Sequence, residues 1–228
     1  MMAVALTSEA AARISRDENI PVAGIVPLTT VDFPNRLALV VFTAGCPWRC
    51  SYCHNASLRE IGRPAAGRWR HVCDLLEERR GFLEAVVFSG GEPTLHRGLE
   101  TAVRTVRSKG FLAGLHTAGI FPESLARVLP WLDWIGLDIK APFDERYARL
   151  TGDPASAAKV ALSLNLLRSS GVPFELRTTV GPDALSDRDF AELCQALRRS
   201  GAPAPVKQAA RQNPASNSNS NSHPETMP

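Results

Sequence analysis

The chain has 228 residues, 44% of them hydrophobic, enough for one large α/β domain or two small ones with a sizeable core. Its 26 basic and 23 acidic residues leave a net charge of +3, too mild to point by itself to nucleic acid or an anionic membrane. No apolar run reaches the ~18 residues of a membrane span. The opening segment MMAVALTSEAAARISRDENI has no basic region ahead of its short apolar stretch, so no export signal is read there and a cytoplasmic location is expected.

Residues 1–23 read as an N-terminal extension without a strong pattern. RLALVVFT (Arg36 to Thr43) is a continuous aliphatic run, as expected of a strand buried on both faces. Arg68 to Arg80 places Trp69, Val72, Leu75 and Leu76 at helical spacing. Glu84 to Ser89 is a second strand, and His96 to Gly110 a helix closed by Lys109 and Gly110. Phe111 to His116 is a third strand and Pro122 to Leu129 a short helix. Trp134 to Ile139 is a fourth strand, followed by a helix over Ala155 to Gly171. Pro173 to Val180 is a fifth strand and Asp187 to Gly201 a final helix. Alternation of strand and helix implies parallel strands joined by right-handed crossovers, as in a doubly wound sheet or part of a β/α barrel. From about Ala202 the chain turns to Pro, Ala, Asn and Ser, and a disordered low-complexity tail is expected from roughly Asn213.

Each unusual motif begins where a predicted strand ends. AGCPWRCSYCHN follows the first strand and SGGEPT the second, while HTAG, DIK and RTTVGP close the third, fourth and fifth. Parallel α/β folds place their ligand site at the carboxyl ends of the strands, so these motifs should converge on one pocket.

Five cysteines are present, an odd number. Cys73 and Cys194 stand alone on helical apolar faces and read as inert core thiols. Cys46, Cys50 and Cys53 form a C-x3-C-x2-C cluster. A structural zinc site wants four ligands from separated segments, and His54 directly follows Cys53, where both seldom reach one metal. Buried structural cysteines fit poorly in a loop that carries Pro47, Arg49 and Ser51. Three thiolates on a four-iron cluster would leave one iron open, and an open metal position marks a catalytic site.

With Tyr52 as its aromatic residue, C-x3-C-x-aromatic-C resembles the signature of radical S-adenosylmethionine enzymes. The resemblance implies a partial (β/α) barrel of parallel strands over residues 24–201, with 202–228 a degenerate last strand and tail. It implies a [4Fe-4S] cluster on Cys46, Cys50 and Cys53, with S-adenosyl-L-methionine completing the shell of the open iron. Reductive cleavage of that sulfonium would give methionine and a 5′-deoxyadenosyl radical that abstracts hydrogen. Gly90, Gly91 and Glu92 resemble the family's GGE motif, with glycines letting the backbone approach a ligand and the carboxylate accepting from its ammonium group. The alternative is a Gly-Gly turn between strand and helix. Asp138 and Lys140 resemble a D-x-K of glycyl-radical activases, or else a solvated ion pair at a strand end. Arg177 needs an anionic partner, which the resemblance makes the cofactor and a structural reading makes Glu175 or Asp138. Tyr52 is expected near the adenine, and Thr117 is placed with the cofactor contacts.

Longer segments, GIVPLTTVDFPNRLALVVFTAGCPWRCSYCHN, WIGLDIKAPFDERYARLTG and FELRTTV among them, resemble activating proteins of anaerobic ribonucleoside-triphosphate reductase. That likeness implies a glycyl radical installed on the large reductase subunit, a flavodoxin- or ferredoxin-type reductant, and neither nucleic acid nor membrane as partner. The alternatives are another glycyl-radical enzyme, a small molecule or a peptide as substrate, or a non-catalytic metal-binding protein. The chain departs from the likeness in HTAG, where His116 and Ala118 stand in a D-T-N-G-like segment whose aspartate helps bind a monovalent cation. It departs again at VKQAARQNP, which keeps Gln208 and Arg211 without the apolar alternation of a strand, so the last strand is expected frayed or absent.

Overall fold

A computed structural model describes residues 20–62 and 69–210 of the protein. The expected tail from Asn213 and most of the N-terminal extension lie outside the described residues. The strands are β1 (Val22–Thr29), β2 (Ala38–Thr43), β3 (Ala85–Gly90), β4 (Leu112–Thr117), β5 (Trp134–Asp138), β6 (Phe174–Val180) and β7 (Val206–Ala209). The helices are α1 (Trp69–Glu78), α2 (Leu99–Ser108), α3 (Pro122–Val128), α4 (Glu145–Thr151), α5 (Ser156–Ser170) and α6 (Asp187–Arg199).

All seven strands form one sheet in the order β1 to β7, with β1 antiparallel to β2 and every later pair parallel. A doubly wound sheet reverses its strand order at a switch point. Here the order never reverses, so crossovers of one hand put the helices on one face and the sheet curls inside them as a partial barrel. Side chains alternate accordingly. Val41, Val86, Phe88, Leu115, Ile135 and Leu137 join the large core that also holds Leu76, Val103, Leu125 and Leu164 of the helices. Ala38, Val40, Ala85, Val87 and Trp134 form a smaller inner cluster with Phe33. Phe33 comes from the β1–β2 hairpin and folds into the barrel, where a Cβ on Gly114 would meet its ring at 2.9 Å.

Three elements escape the sequence pattern. β1 carries Gly24 and Pro27, which an edge strand tolerates because one row of its backbone groups needs no ladder partner. α4 has seven residues, too few to show a helical period. β7 corrects the expectation of a frayed or absent last strand: Val206 to Ala209 pair in register with Arg177 to Val180. All four of its residues are exposed, so no apolar alternation is required of them. Among the described residues, no helix is long and apolar enough to cross a membrane.

Candidate active site

The carboxyl ends of β2 to β7 converge on one cavity. Its lining draws on the cysteine loop, on Gly90 and Gly91, on His116 and Thr117, on Asp138 and Lys140, on Arg177 and on Gln208. Glu92 alone of the predicted site residues does not line it.

The cysteine loop is closed by its own backbone. The Gly45 N–H donates to the Leu58 carbonyl at 2.7 Å and the Cys46 N–H to the Arg59 carbonyl at 3.1 Å. His96 Nε2 lies 2.7 Å from the Ala44 carbonyl, which can only accept, so the proton sits on that nitrogen. Asn55 donates from Nδ2 to the Gly90 carbonyl at 3.1 Å and joins this loop to the β3 tip. Cys46, Cys50 and Cys53 are unpaired, half-buried and on the cavity wall. Burial, reinforced by the nearby Glu92 carboxyl, pushes the Cys46 thiol up to about 12, and burial also raises Cys50. Thiolates in such surroundings need a cation, and a coordinating metal deprotonates them outright.

The Gly-Gly-Glu segment packs against the cysteine loop and the β4 tip. Gly90 has φ +111°, and a Cβ there would stand 2.4 Å from the Thr43 nitrogen. A Cβ on Gly91 would stand 2.3 Å from the Gly45 carbonyl oxygen. The close approach these glycines permit is therefore to the root of the cysteine loop. The Glu92 N–H donates to the same Gly45 carbonyl at 2.8 Å. The Glu92 side chain turns inward and is 1% exposed. Its carboxylate accepts from Thr94 Oγ1 at 2.5 Å, the Thr94 N–H at 3.0 Å, Thr117 Oγ1 at 2.7 Å and the Ala118 N–H at 2.9 Å. Glu92 thus pins the β3 tip to the β4 tip. Burial raises its pKa against the effect of those donors.

Across the cavity lies a connected set of charges. Arg177 donates from Nε to Asp138 Oδ1 at 2.9 Å, and Lys140 donates from Nζ to Asp138 Oδ2 at 3.0 Å. The three side chains are 11%, 15% and 28% exposed for Arg177, Lys140 and Asp138, so this is not a solvated ion pair. Burial opposes ionisation of Asp138, but the two cations outweigh it and hold the carboxyl well below the carboxylate range. Lys140 is likewise held charged by Asp138 against the cost of burial. One cationic charge is left over among the three, facing the cavity. Gly136 makes room for it: a Cβ there would stand 2.8 Å from Arg177 Cζ.

Tyr52 is buried beside this set, with the Lys140 ammonium 5.7 Å from its ring centroid. Among the described residues, no group lies in hydrogen-bonding position to its buried hydroxyl. Thr117 Oγ1 donates to Glu92 and accepts from the Gly119 N–H at 2.9 Å. His116 Nε2 lies 3.1 Å from the Asp32 carbonyl and must donate to it. Burial and then the Arg177 charge depress His116 to about 4, so its ring is neutral.

These features fit an iron–sulfur cluster and a zwitterionic ligand. Three thiols share one wall, the Asp138–Lys140–Arg177 set brings a net positive charge to the same cavity, and the buried Tyr52 hydroxyl lacks a partner among the described residues. Asn55 and His96 join the site without a motif that marks them in the sequence. Each acts through a backbone contact distant in sequence.

A three-cysteine loop on the open end of a one-way β/α sheet defines a class, and the comparisons with known proteins agree with it. The model of the Radical SAM superfamily matches residues 40–197. In fold, the chain is similar to SuiB of Streptococcus suis bound to S-adenosylmethionine, with a TM-score of 0.62, 14% identity, and coverage of 79% of this chain and 43% of that one. It is also similar to anSMEcpe with bound AdoMet and Cp18Cys peptide, with a TM-score of 0.56, 21% identity, and coverage of 73% and 47%. In sequence, it is 30% identical over 188 residues to the pyruvate formate-lyase-activating enzyme of Listeria monocytogenes, covering 75% of this chain and 73% of that one. It is 28% identical over 196 residues to a protein of Methanocaldococcus jannaschii described as a glycyl-radical enzyme activating enzyme, covering 78% and 75%. The chain belongs to the radical SAM superfamily and, within it, to the glycyl-radical enzyme activating enzymes.

Proposed function

We propose that the protein installs the glycyl radical of an anaerobic ribonucleoside-triphosphate reductase, taking its electron from a flavodoxin- or ferredoxin-type donor in the cytoplasm. The observation that supports a cofactor site here is the cavity that sets Cys46, Cys50 and Cys53 opposite the Asp138–Lys140–Arg177 set. The three cysteines hold a [4Fe-4S] cluster. When bound, the cluster and S-adenosyl-L-methionine supply the hydrogen-abstracting radical. Lys140 and Arg177 receive the cofactor carboxylate, and the Gly90 and Gly91 backbone lies along its amino-acid end. Tyr52 packs near the adenine. Thr117 and Glu92 serve by fixing the wall between β3 and β4. The abstracted hydrogen comes from a backbone glycine of the partner, so no side-chain base is needed, and an incomplete barrel leaves a side by which a loop of that partner can enter. The choice of reductase rests on the extended likeness of Gly24 to Gly201 to reductase activases.

A second reading, activation of a pyruvate formate-lyase, is favoured by the name of the Listeria relative. One anaerobic experiment separates the two. The chain is reconstituted with iron and sulfide, reduced, and mixed with S-adenosylmethionine and either the reductase or pyruvate formate-lyase. The expected result is 5′-deoxyadenosine with a glycyl-radical doublet on the reductase alone. A doublet on the lyase alone would move the assignment to the second reading. Zinc in place of iron, or no cleavage of the cofactor, would defeat both.

A further inference from the structure

Two residues after the first cluster cysteine, Trp48 is the bulkiest fully buried side chain in the described protein. Its indole Nε1 donates to Asp153 Oδ2 at 3.1 Å, 105 residues away in sequence. The next residue repeats the attachment through the backbone: the Arg49 N–H donates to the Thr151 carbonyl at 2.9 Å. Both acceptors lie on the Thr151-Gly152-Asp153 turn between α4 and α5. Gly152 has φ +75°, which turns the chain sharply and ends α4. A Cβ on Gly152 would still clear Arg49 Cβ at 3.7 Å.

The tether continues into the charged wall. The Trp48 ring meets Tyr147 edge-on at 6.0 Å, and the Tyr147 hydroxyl accepts the Lys140 N–H at 3.0 Å. Asp153, Trp48, Tyr147 and Lys140 thus form one packed line linking the Cys46–Cys50 segment to the end of β5. Asp153 Oδ2 also accepts from Lys159 Nζ at 2.7 Å, and Oδ1 from the Ala155 N–H at 2.9 Å, so the carboxylate is itself fixed. An indole N–H buried this deeply needs an acceptor, and a charged one holds it most firmly.

We infer that Asp153 is a positioning residue for the iron–sulfur cluster, holding the Cys46–Cys50 segment in its binding shape through the indole of Trp48. The cluster itself rests on the proposed function; the tether does not, and it is testable in the metal-free chain.

The first readout is the alkylation rate of each cysteine in the metal-free full-length protein, followed by mass spectrometry. Trp48→Phe keeps the aromatic packing and removes the donor. Asp153→Ala removes the acceptor. Each is expected to raise alkylation of Cys46 and Cys50 roughly ten-fold, the scale of one charge-assisted hydrogen bond. The double variant should be no faster than either single one, because both cut the same link. Cys73 and Cys194 in the same digest should not change. Asp153→Asn, which keeps an acceptor for the indole, should restore slow alkylation, and Lys159→Met should leave it slow. The second readout is iron loss from the reconstituted protein to a chelator, expected to quicken in the same variants by a similar factor. Additive effects in the double variant, a rise at all five cysteines, or a Lys159→Met variant as fast as Asp153→Ala would overturn the inference. A wild-type chain that takes up no iron–sulfur cluster would defeat the proposed function, while the alkylation rates would still judge the tether.

Discussion

Arg177 and Asp138 are register partners on the adjacent parallel strands β6 and β5, and the guanidinium Nη2 lies 2.8 Å from the carboxylate Oδ1. Lys140, on the same side of the chain as Asp138, takes the other carboxylate oxygen. Two cations on one anion, mostly removed from water, make a site that attracts a second carboxylate.

Replacing Arg177 by Leu leaves Asp138 with Lys140 alone. Loss of one partner from a buried pair costs roughly 3–5 kcal/mol, and the remaining lysine puts the expected loss at about 3 kcal/mol. Urea unfolding of Arg177→Leu, Asp138→Leu and the double variant measures it. The double variant should be less destabilised than the sum of the two, and S-adenosylmethionine affinity should fall in all three.

His116 makes the stability depend on pH. Its folded pKa of about 4 lies below the ordinary 6.5, so between these values the unfolded chain binds more protons than the folded one. The stabilisation is complete above pH 6.5 and is lost as pH falls toward 4. His116→Asn removes this dependence while keeping a donor for the Asp32 carbonyl. The difference in unfolding free energy between wild type and variant should be smaller at pH 5 than at pH 7.5 by on the order of 1–2 kcal/mol.

Gly91→Ala drives a methyl group against the Gly45 carbonyl, 2.3 Å away, and backbone on both sides must move. Overpacking of this kind costs about 1–3 kcal/mol or more. The expected result is a destabilised chain that also retains less iron after reconstitution. Gly24→Ala is the control, because nothing lies within 4 Å of a Cβ there. Its unfolding midpoint should stay at or slightly above that of wild type.

Glu92→Gln tests whether that carboxylate serves the fold or the ligand. An amide presents a donor where the carboxylate accepts from four groups, and at least one bond must be lost. A loss of about 2 kcal/mol in unfolding free energy is expected. Unchanged stability with weakened S-adenosylmethionine binding would instead place the carboxylate in contact with the ligand.

Much of this architecture was legible in the chain. Buried strands announce themselves as aliphatic runs and helices as apolar periods, because burial acts on residues close together in sequence. The order of those signals implied parallel strands, and the ends of the strands located the motifs. The Cys46–Cys50–Cys53 spacing and the Gly-Gly-Glu, D-x-K and arginine positions pointed to one pocket and one family. β1 and β7 were not legible, because edge strands exposed to solvent carry no obligatory pattern.

The repeating β-α order, the cysteine loop, the edge of the sheet that bears the site and the family to which the chain belongs are all written in local patterns of residues. Which side chain answers which emerges from the folded chain alone. Register between β5 and β6 chose Asp138 as the partner of Arg177. The approach of the β3 tip to Gly45 turned Glu92 inward toward β4. A turn more than a hundred residues from Trp48 supplied the acceptor for its indole. Such pairings are set by strand register and by how distant segments pack, and no local pattern of residues encodes either.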